Sequence, residues 1–149
     1  MNTANKILVT GGTGFIGSHT VVELQNEGYK VIIIDDLSNS LLDVLEGITS
    51  ITGKTPIFEK LDLKEKDKVE SFFNQHKDIV GVIHFAASKA VGESVQLPLK
   101  YYENNISTLV YMLKELEKLE TANFIFSSSC TVLCHKSSQT NIETFPNCD

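Results

Sequence analysis

Residues 6–17 decide the fold and read Lys6-Ile7-Leu8-Val9-Thr10-Gly11-Gly12-Thr13-Gly14-Phe15-Ile16-Gly17. The first five residues have the apolar character of a buried strand, and glycines follow directly. Gly11 permits a tight turn, Gly14 lets a pyrophosphate approach the main chain, and Gly17 allows close contact between a helix and a strand. The stretch therefore predicts a strand, a phosphate-binding turn and the beginning of a helix whose positive end faces the phosphates.

Apolar runs continue to alternate with stretches of helical period along the chain. Val69, Phe72 and Phe73 have the i, i+3, i+4 spacing of one helix face. Strands are predicted over 6–10, 31–34, 56–59, 80–85 and 123–127, and helices over 14–28, 41–52, 64–76 and 98–119. Strands that alternate with helices form βαβ units, so we expect an α/β fold with a doubly wound parallel sheet of about five strands (Rossmann-type).

The helix predicted from Pro98 carries a heptad-like apolar seam. Proline is favoured in the first turn of a helix. The seam consists of large side chains spaced alternately three and four residues apart: Leu99, Tyr102, Ile106, Leu109, Leu113 and Leu116. This spacing is typical of a helix that packs against another helix.

Composition excludes several classes of protein. A chain of 149 residues with 42% hydrophobic residues has the size and composition of one globular domain. Its net charge of -6 argues against a nucleic-acid partner. No signal peptide or membrane span can be read in the sequence, and the odd number of cysteines fits free thiols, so we expect a cytoplasmic protein without a membrane partner. The spacing of Cys130, Cys134, His135 and Cys148 matches no common zinc site, so we expect no metal.

Two acids end the second predicted strand. Asp35 follows Gly17 by 18 residues, near the separation at which an acid hydrogen-bonds the adenine ribose. A carboxylate there repels a 2′-phosphate, and the next residue is Asp36 rather than an arginine, which favours NAD over NADP. The alternatives are a glycine-rich turn without a ligand and a solvated carboxylate at a strand end.

Further stretches resemble the UDP-glucose (UDP-galactose) 4-epimerases, a family of extended short-chain dehydrogenases/reductases. The spacing GxxGxxG is that of the superfamily. The sequence Asp35-Asp36-Leu37-Ser38-Asn39-Ser40 resembles the family's DNLxNS, and residues 82–94, VIHFAASKAVGES, resemble VIHFAGLKAVGES. Residues 101–105 match YYxNN and residues 124–129 match FxFSSS. The resemblance spans residues 6–132.

The resemblance implies an NAD site and part of a catalytic site. The implied cofactor ligands come from loops and strand ends: Gly11, Gly14, Phe15, Ile16, Gly17, Asp35, Asp36, Leu37, Ser38, Asn39, Ser40, Asp62, Leu63, Phe85, Ala86, Ala87, Ser88, Lys89 and Asn104. Residues 35–40 would hold the adenosine ribose, 62–63 the adenine edge, and 85–89 the ribose and pyrophosphate. Ser129 would supply the hydroxyl of the family's Ser-Tyr-Lys set. Without the resemblance, Asp62 reads as a helix N-cap and Asn104 as an interior polar contact.

The family reaction moves a hydride from C4 of a UDP-hexose to NAD and back onto the other face of a 4-keto sugar. A tyrosine removes the hydroxyl proton, and a lysine four residues later lowers the pKa of that tyrosine. No tyrosine follows Tyr111 here. We therefore expect an incomplete NAD-binding domain over 1–132, a polar tail over 133–149, and a chain that is inactive by itself.

Two departures from the family pattern lie near the implied site. Ala87-Ser88 replaces Gly-Leu, and Leu133-Cys134 replaces Tyr-Gly. The family is homodimeric, and for this chain we expect self-association or aggregation through the seam. A non-catalytic NAD-binding or interaction module and another extended short-chain nucleotide-sugar enzyme, such as a dehydratase, stay as alternatives; the string KAVGES argues against the dehydratase.

Overall fold

A computed structural model describes residues 5–119 and 123–128. Within them the chain forms, in order, β1 Lys6–Thr10, α1 Phe15–Asn26, β2 Lys30–Asp35, α2 Asp43–Thr52, β3 Ile57–Lys60, α3 Lys66–Gln75, β4 Ile79–His84, α4 Val91–Gln96, α5 Pro98–Tyr102, a π-helical segment Glu103–Ser107, α6 Thr108–Glu117 and β5 Asn123–Phe126. Each predicted strand and helix is present, with ends that differ by at most two residues. Helix α4 was not predicted, because six residues are too few to show a helical period.

The five strands form one parallel sheet in the order β3-β2-β1-β4-β5. The chain first moves outward from β1 to β3, and then returns past β1 to place β4 and β5 on its other side. This reversal of strand order between β1 and β4 is the switch point of a doubly wound sheet. The predicted α/β fold is confirmed.

Both faces of the sheet are covered, which is why the central strands are apolar throughout. Alternate residues of a strand point to opposite faces. On one face Leu8 and Ile32 pack with side chains of α3 and α6, chiefly Val69, Phe72, Phe73, Met112 and Leu116. On the other face Val9, Val31 and Ile33 pack with Val21 of α1 and Ile48 of α2.

The helix predicted over 98–119 differs from the prediction in two respects. It is divided into α5, the π-helical segment and α6. Its buried face is also offset from the seam by about one residue, since Thr108 and Met112 are buried whereas Leu113 is 42% exposed. Leu116 belongs to the seam through which self-association is expected, but it is covered within this chain, because its side chain packs in the core with α3. A heptad pattern shows only where apolar residues recur in the sequence. Which of them are buried depends on how the helix packs against the sheet and α3.

Within the described ranges 5–119 and 123–128, no helix is long and apolar enough to cross a membrane.

Candidate functional site

The loops that carry the predicted site residues meet at one edge of the sheet. All five strands are parallel, so their carboxyl ends lie on the same side. The glycine loop, residues 11–14, follows β1. Asp35 is the last residue of β2 and residues 36–40 follow it, residues 62–63 come after β3, and residues 85–89 follow β4. Open α/β sheets bind ligands at this edge, beside the point where the strand order reverses.

The glycine loop packs so closely that its turn and its helix contact require glycine. Gly11 has a φ of +68°, and a Cβ there would lie 2.8 Å from the main-chain nitrogen of Ala86. A Cβ on Gly17 would overlap the carbonyl oxygen of Gly11. Helix α1 then begins at Phe15 with no acidic residue in its first turn. Its unbonded N–H groups and positive dipole end can therefore bind an anion.

Asp35 joins the end of β2 to the glycine loop. Its Oδ2 accepts a hydrogen bond from the Thr13 N–H at 3.2 Å, and its Oδ1 accepts from the Leu37 N–H at 3.0 Å and the Ser40 hydroxyl at 3.1 Å. The hydroxyls of Thr13 and Ser40 are 2.7 Å apart. The carboxylate is thus held in place before any ligand binds, at the position where the sequence predicts a ribose contact.

The loop after Asp35 is strained and faces solvent. Leu37 has a φ of 62°, and among the described residues it is the only non-glycine with a positive φ. Such a conformation costs on the order of 1–3 kcal/mol and is concentrated at functional sites. The bond from its N–H to Asp35 helps to maintain it. Asp36 is exposed and accepts a hydrogen bond from the Ser38 N–H at 2.8 Å.

Thr10 and His84 connect the ends of β1 and β4, a contact that sequence reasoning missed. The Thr10 hydroxyl lies 2.7 Å from Nδ1 of His84, and the Ala86 N–H donates to the same hydroxyl at 3.4 Å. The Thr10 carbonyl accepts from the Phe85 N–H at 3.0 Å. Burial lowers the pKa of His84 to about 4, so the imidazole is neutral. The available signal was a polar residue at the end of each of two apolar strands.

Asn105 holds the same loop from the other side and was also missed. Its amide makes two hydrogen bonds to the main chain of Ser88, and Asn104, which the resemblance places beside the cofactor, donates to it. Asn104 is half-buried. The sequence motif Asn-Asn was recognised, but nothing in it shows which of the two amides reaches the loop.

The remaining predicted residues take different positions. Phe15 and Ile16 are 80% and 58% exposed at the beginning of α1. Asp62 accepts a hydrogen bond from the Lys64 N–H at 2.9 Å, and since α3 begins only at Lys66 it caps a turn rather than the helix. Leu63 is buried in the core, so a ligand contact at this position involves its main chain.

Lys89 is exposed and makes no ion pair within residues 5–119 and 123–128. Ser129 and the group Cys130, Cys134, His135 and Cys148 lie outside the described residues. In the part of the chain that the structure describes, no three or more His, Cys, Asp or Glu side chains are placed to hold a metal ion.

Comparison with protein families agrees with this geometry. The model of the NAD dependent epimerase/dehydratase family matches residues 7–147, from the first strand to beyond the last. The chain belongs to this family. Within the epimerase/dehydratase family it is similar to UDP-glucose 4-epimerases. The enzyme of Bacillus subtilis (strain 168) is 46% identical over 140 residues, which cover 94% of this chain and 41% of that protein.

A longer relative and two solved structures show the same partial coverage. The bifunctional protein gal10 of Schizosaccharomyces pombe is 52% identical over 126 residues, which are 85% of this chain and 18% of that protein. A UDP-glucose 4-epimerase from Bifidobacterium longum, in complex with NAD+ and UDP, superposes with a TM-score of 0.81 at 44% identity, covering 87% of this chain and 38% of that one. One from Stenotrophomonas maltophila, with bound NAD and formylated UDP-arabinopyranose, gives 0.79 at 43% identity and covers 85% and 38%. The chain thus spans less than half the length of these family members.

Proposed function

We propose that this chain is the dinucleotide-binding part of an NAD-dependent UDP-glucose 4-epimerase, which interconverts UDP-galactose and UDP-glucose. The proposal rests on one observation above all. In a member of the epimerase/dehydratase family, the Asp35 carboxylate is fixed against the Thr13 N–H, directly beside the glycine loop that begins α1. This is the arrangement that holds the ribose and pyrophosphate of a dinucleotide.

Residues at the carboxyl ends of the strands have the chemistry that would bind NAD. The first turn of α1 would bind the pyrophosphate, Asp35 would accept hydrogen bonds from the adenine ribose, and the exposed Phe15 and Ile16 would cover the dinucleotide. The Lys89 ammonium would add positive charge near the phosphates. When bound, NAD supplies the acceptor for the hydride from C4 of the hexose, and the chain's own residues bind and orient it.

Asp35 makes NAD the preferred cofactor over NADP. A 2′-phosphate would lie within a few ångströms of this carboxylate, and two like charges at such a distance repel each other by roughly 1–4 kcal/mol at effective dielectric constants between water and a protein surface. We therefore expect calorimetric titration to show at least ~10-fold tighter binding of NAD. Asp35→Asn should reduce this preference, whereas the matched variant Asp43→Asn, at the exposed beginning of α2, should keep it. Equal affinities of the unaltered chain for the two dinucleotides would rule out the assignment.

Catalysis requires groups beyond those described. Ser129 would supply the family's hydroxyl, but no tyrosine follows Tyr111 in the sequence. A missing general base alone costs about 10²- to 10⁴-fold in rate. We expect the purified 149-residue chain, supplied with NAD and UDP-galactose, to show no epimerisation above buffer in a coupled assay with a full-length epimerase as positive control. Turnover that scales with protein and survives repurification would contradict this.

A non-catalytic NAD-binding module is the second candidate, because no tyrosine follows Tyr111 in these 149 residues. The two candidates share the NAD-binding site and differ in whether a catalytic region is joined to it. Genomic sequence downstream decides between them: an open frame that continues into Tyr-x-x-x-Lys supports the epimerase, and an immediate stop supports the module. The expected cytoplasmic location and the UDP-hexose substrate stay predictions.

A further inference from the structure

Both polar atoms of the Asn105 side-chain amide form hydrogen bonds with the main chain of Ser88. The Ser88 N–H donates to Oδ1 at 2.8 Å, and Nδ2 donates to the Ser88 carbonyl at 2.9 Å. Asn104 Nδ2 donates to the same Oδ1 at 3.0 Å. The orientation of the amide is therefore defined, since its oxygen faces two N–H donors and its nitrogen faces a carbonyl.

The loop that Asn105 holds has no regular secondary structure of its own. Residues 85–90 connect β4 to α4 and form neither helix nor strand. At the strand end they are attached to Thr10 through the N–H groups of Phe85 and Ala86. The two bonds at Ser88 fix the middle of the loop. Main-chain groups in such a loop need partners, and here a side chain 17 residues further along supplies them.

Asn105 lies in the π-helical segment Glu103–Ser107. A π turn contains an extra residue compared with an α turn, and such turns are frequently found at functional sites. The segment interrupts an otherwise continuous helical run between α5 and α6, at the position from which an amide reaches the loop after β4.

We propose that Asn105 is a positioning residue for NAD binding. It holds the main chain of residues 85–90 in the conformation that presents Ala86, Ala87 and Lys89 to the dinucleotide, and Asn104 supports its amide. The proposal rests on the proposed function of the chain. Asn105 hydrogen-bonds only main-chain atoms of Ser88, so these two bonds make no demand on the side chain at this position, where the resembling family has leucine.

Two readouts on the full chain test the role of Asn105. Calorimetry measures the affinity for NAD, and NMR hydrogen exchange measures protection of the Ser88 N–H. Asn105→Ala should weaken NAD binding about 10-fold, as expected for the loss of roughly one net hydrogen bond. It should also expose the Ser88 N–H while the Phe85 N–H, bonded to Thr10, keeps its protection. The matched control Asn74→Ala removes an exposed side-chain amide from α3, away from the predicted site, and should leave both readouts unchanged.

The variant Asn105→Asp distinguishes the loss of hydrogen bonds to the loop from a loss of packing. It keeps the shape and the acceptor but places a carboxylate oxygen against the Ser88 carbonyl at neutral pH. Protonation at lower pH restores a donor there. The affinity of this variant relative to the unaltered chain should therefore rise between pH 8 and pH 5, whereas a loss of packing would give no such recovery.

Equal NAD affinity of Asn105→Ala and the unaltered chain would overturn the proposal, and so would unchanged exchange at Ser88. If the unaltered chain binds no NAD, the proposed function fails, and Ser88 exchange alone then decides whether Asn105 holds the loop. If Asn105→Ala does not fold, the pH recovery of Asn105→Asp supports the proposal and its absence overturns it.

Discussion

His84 lies at the end of β4, and its buried imidazole contacts side chains of the neighbouring strands β1 and β5. It is 1% exposed, its Nδ1 contacts the Thr10 hydroxyl, and its ring lies 6.1 Å from that of Phe124 and 5.9 Å from that of Phe126. Burial disfavours the imidazolium and lowers the pKa from 6.5 to about 4. A neutral His84 is thus part of the structure that holds the glycine loop beside the loop after β4.

Stability should decrease on acidification because of this residue. The unfolded chain binds a proton near pH 6.5, whereas the folded chain resists protonation until about pH 4. The contribution is fully present above pH 6.5, is lost as the pH falls towards 4, and amounts to about 3 kcal/mol. Urea unfolding at a series of pH values between 4 and 8 measures it.

Two variants separate His84 from the other groups that titrate. The pKa of His76 is also lowered, first by burial and then by Lys6. Because the larger shift belongs to His84, the variant His76→Gln should keep most of the pH dependence of stability. His84→Gln should lose most of it. Lys6 lowers the pKa of the Asp78 carboxyl, and Lys100 lowers that of the Glu93 carboxyl. These two groups therefore change the stability at lower pH than His84 does. An NMR titration that places the pKa of His84 near 6.5 would show the interpretation to be wrong.

At the scale of elements, the contact between α1 and the glycine loop depends on Gly17. A Cβ there would overlap the Gly11 carbonyl and lie 2.8 Å from Cα of Gly12, so the main chain has to move. We expect Gly17→Ala to destabilise the fold by about 1–3 kcal/mol and to abolish measurable NAD binding, because the first turn of α1 shifts away from the phosphates.

Gly47 in α2 provides the matched control for Gly17. It is also a glycine inside a helix, but a Cβ there has no neighbour within 4 Å. Gly47→Ala should therefore stabilise the chain by about 0.5–1 kcal/mol and leave NAD affinity unchanged. Denaturant unfolding and calorimetry measure both effects. If the two alanine variants had similar stability and similar NAD affinity, the close contact of Gly17 with the glycine loop would not be what requires glycine there.

At the scale of the whole molecule, the helical region after β4 carries a set of exposed apolar side chains. We call it the apolar helix face; its members are Val91, Val95, Leu97, Leu99, Tyr102, Ile106, Val110 and Leu113, each at least 40% exposed. Each large apolar side chain left in water lacks the roughly 1.5–3 kcal/mol of stabilisation that its burial would give. The total free energy of unfolding of a protein is only about 5–15 kcal/mol. Ile125 and Phe126 of the edge strand β5 are exposed as well.

The apolar helix face should make the isolated chain self-associate and bind a hydrophobic dye. Changing Leu99 and Ile106 together to lysine should reduce both effects in sedimentation and dye-binding measurements. Ile51→Lys is the control, since Ile51 is 69% exposed but lies on α2. A dye-negative monomer with a sharp thermal transition, obtained from the unaltered chain, would contradict the prediction.

Local signals in the sequence were sufficient to predict the strands, the longer helices and the glycine-rich turn after β1. Apolar runs, helical spacing and the glycines of residues 11–17 each act through neighbours close in the chain, so they predicted the strands, the turn and the parallel sheet. Asp35 could be singled out because a strand end and a fixed distance from a glycine loop place it. Leu63 shows the limit: its position suits a ligand contact, but packing against the core decides which of its atoms are available.

The sequence by itself determined the order of the main elements and the α/β class, because these depend on short-range patterns. Only the tertiary structure decided which distant groups meet. Thr10 and His84 are separated by 74 residues and become partners because β1 and β4 are adjacent. Asn105 rather than Asn104 reaches Ser88, and Met112 rather than Leu113 is buried, because the placement of a helix against the sheet chooses between neighbouring residues that its sequence pattern leaves equivalent.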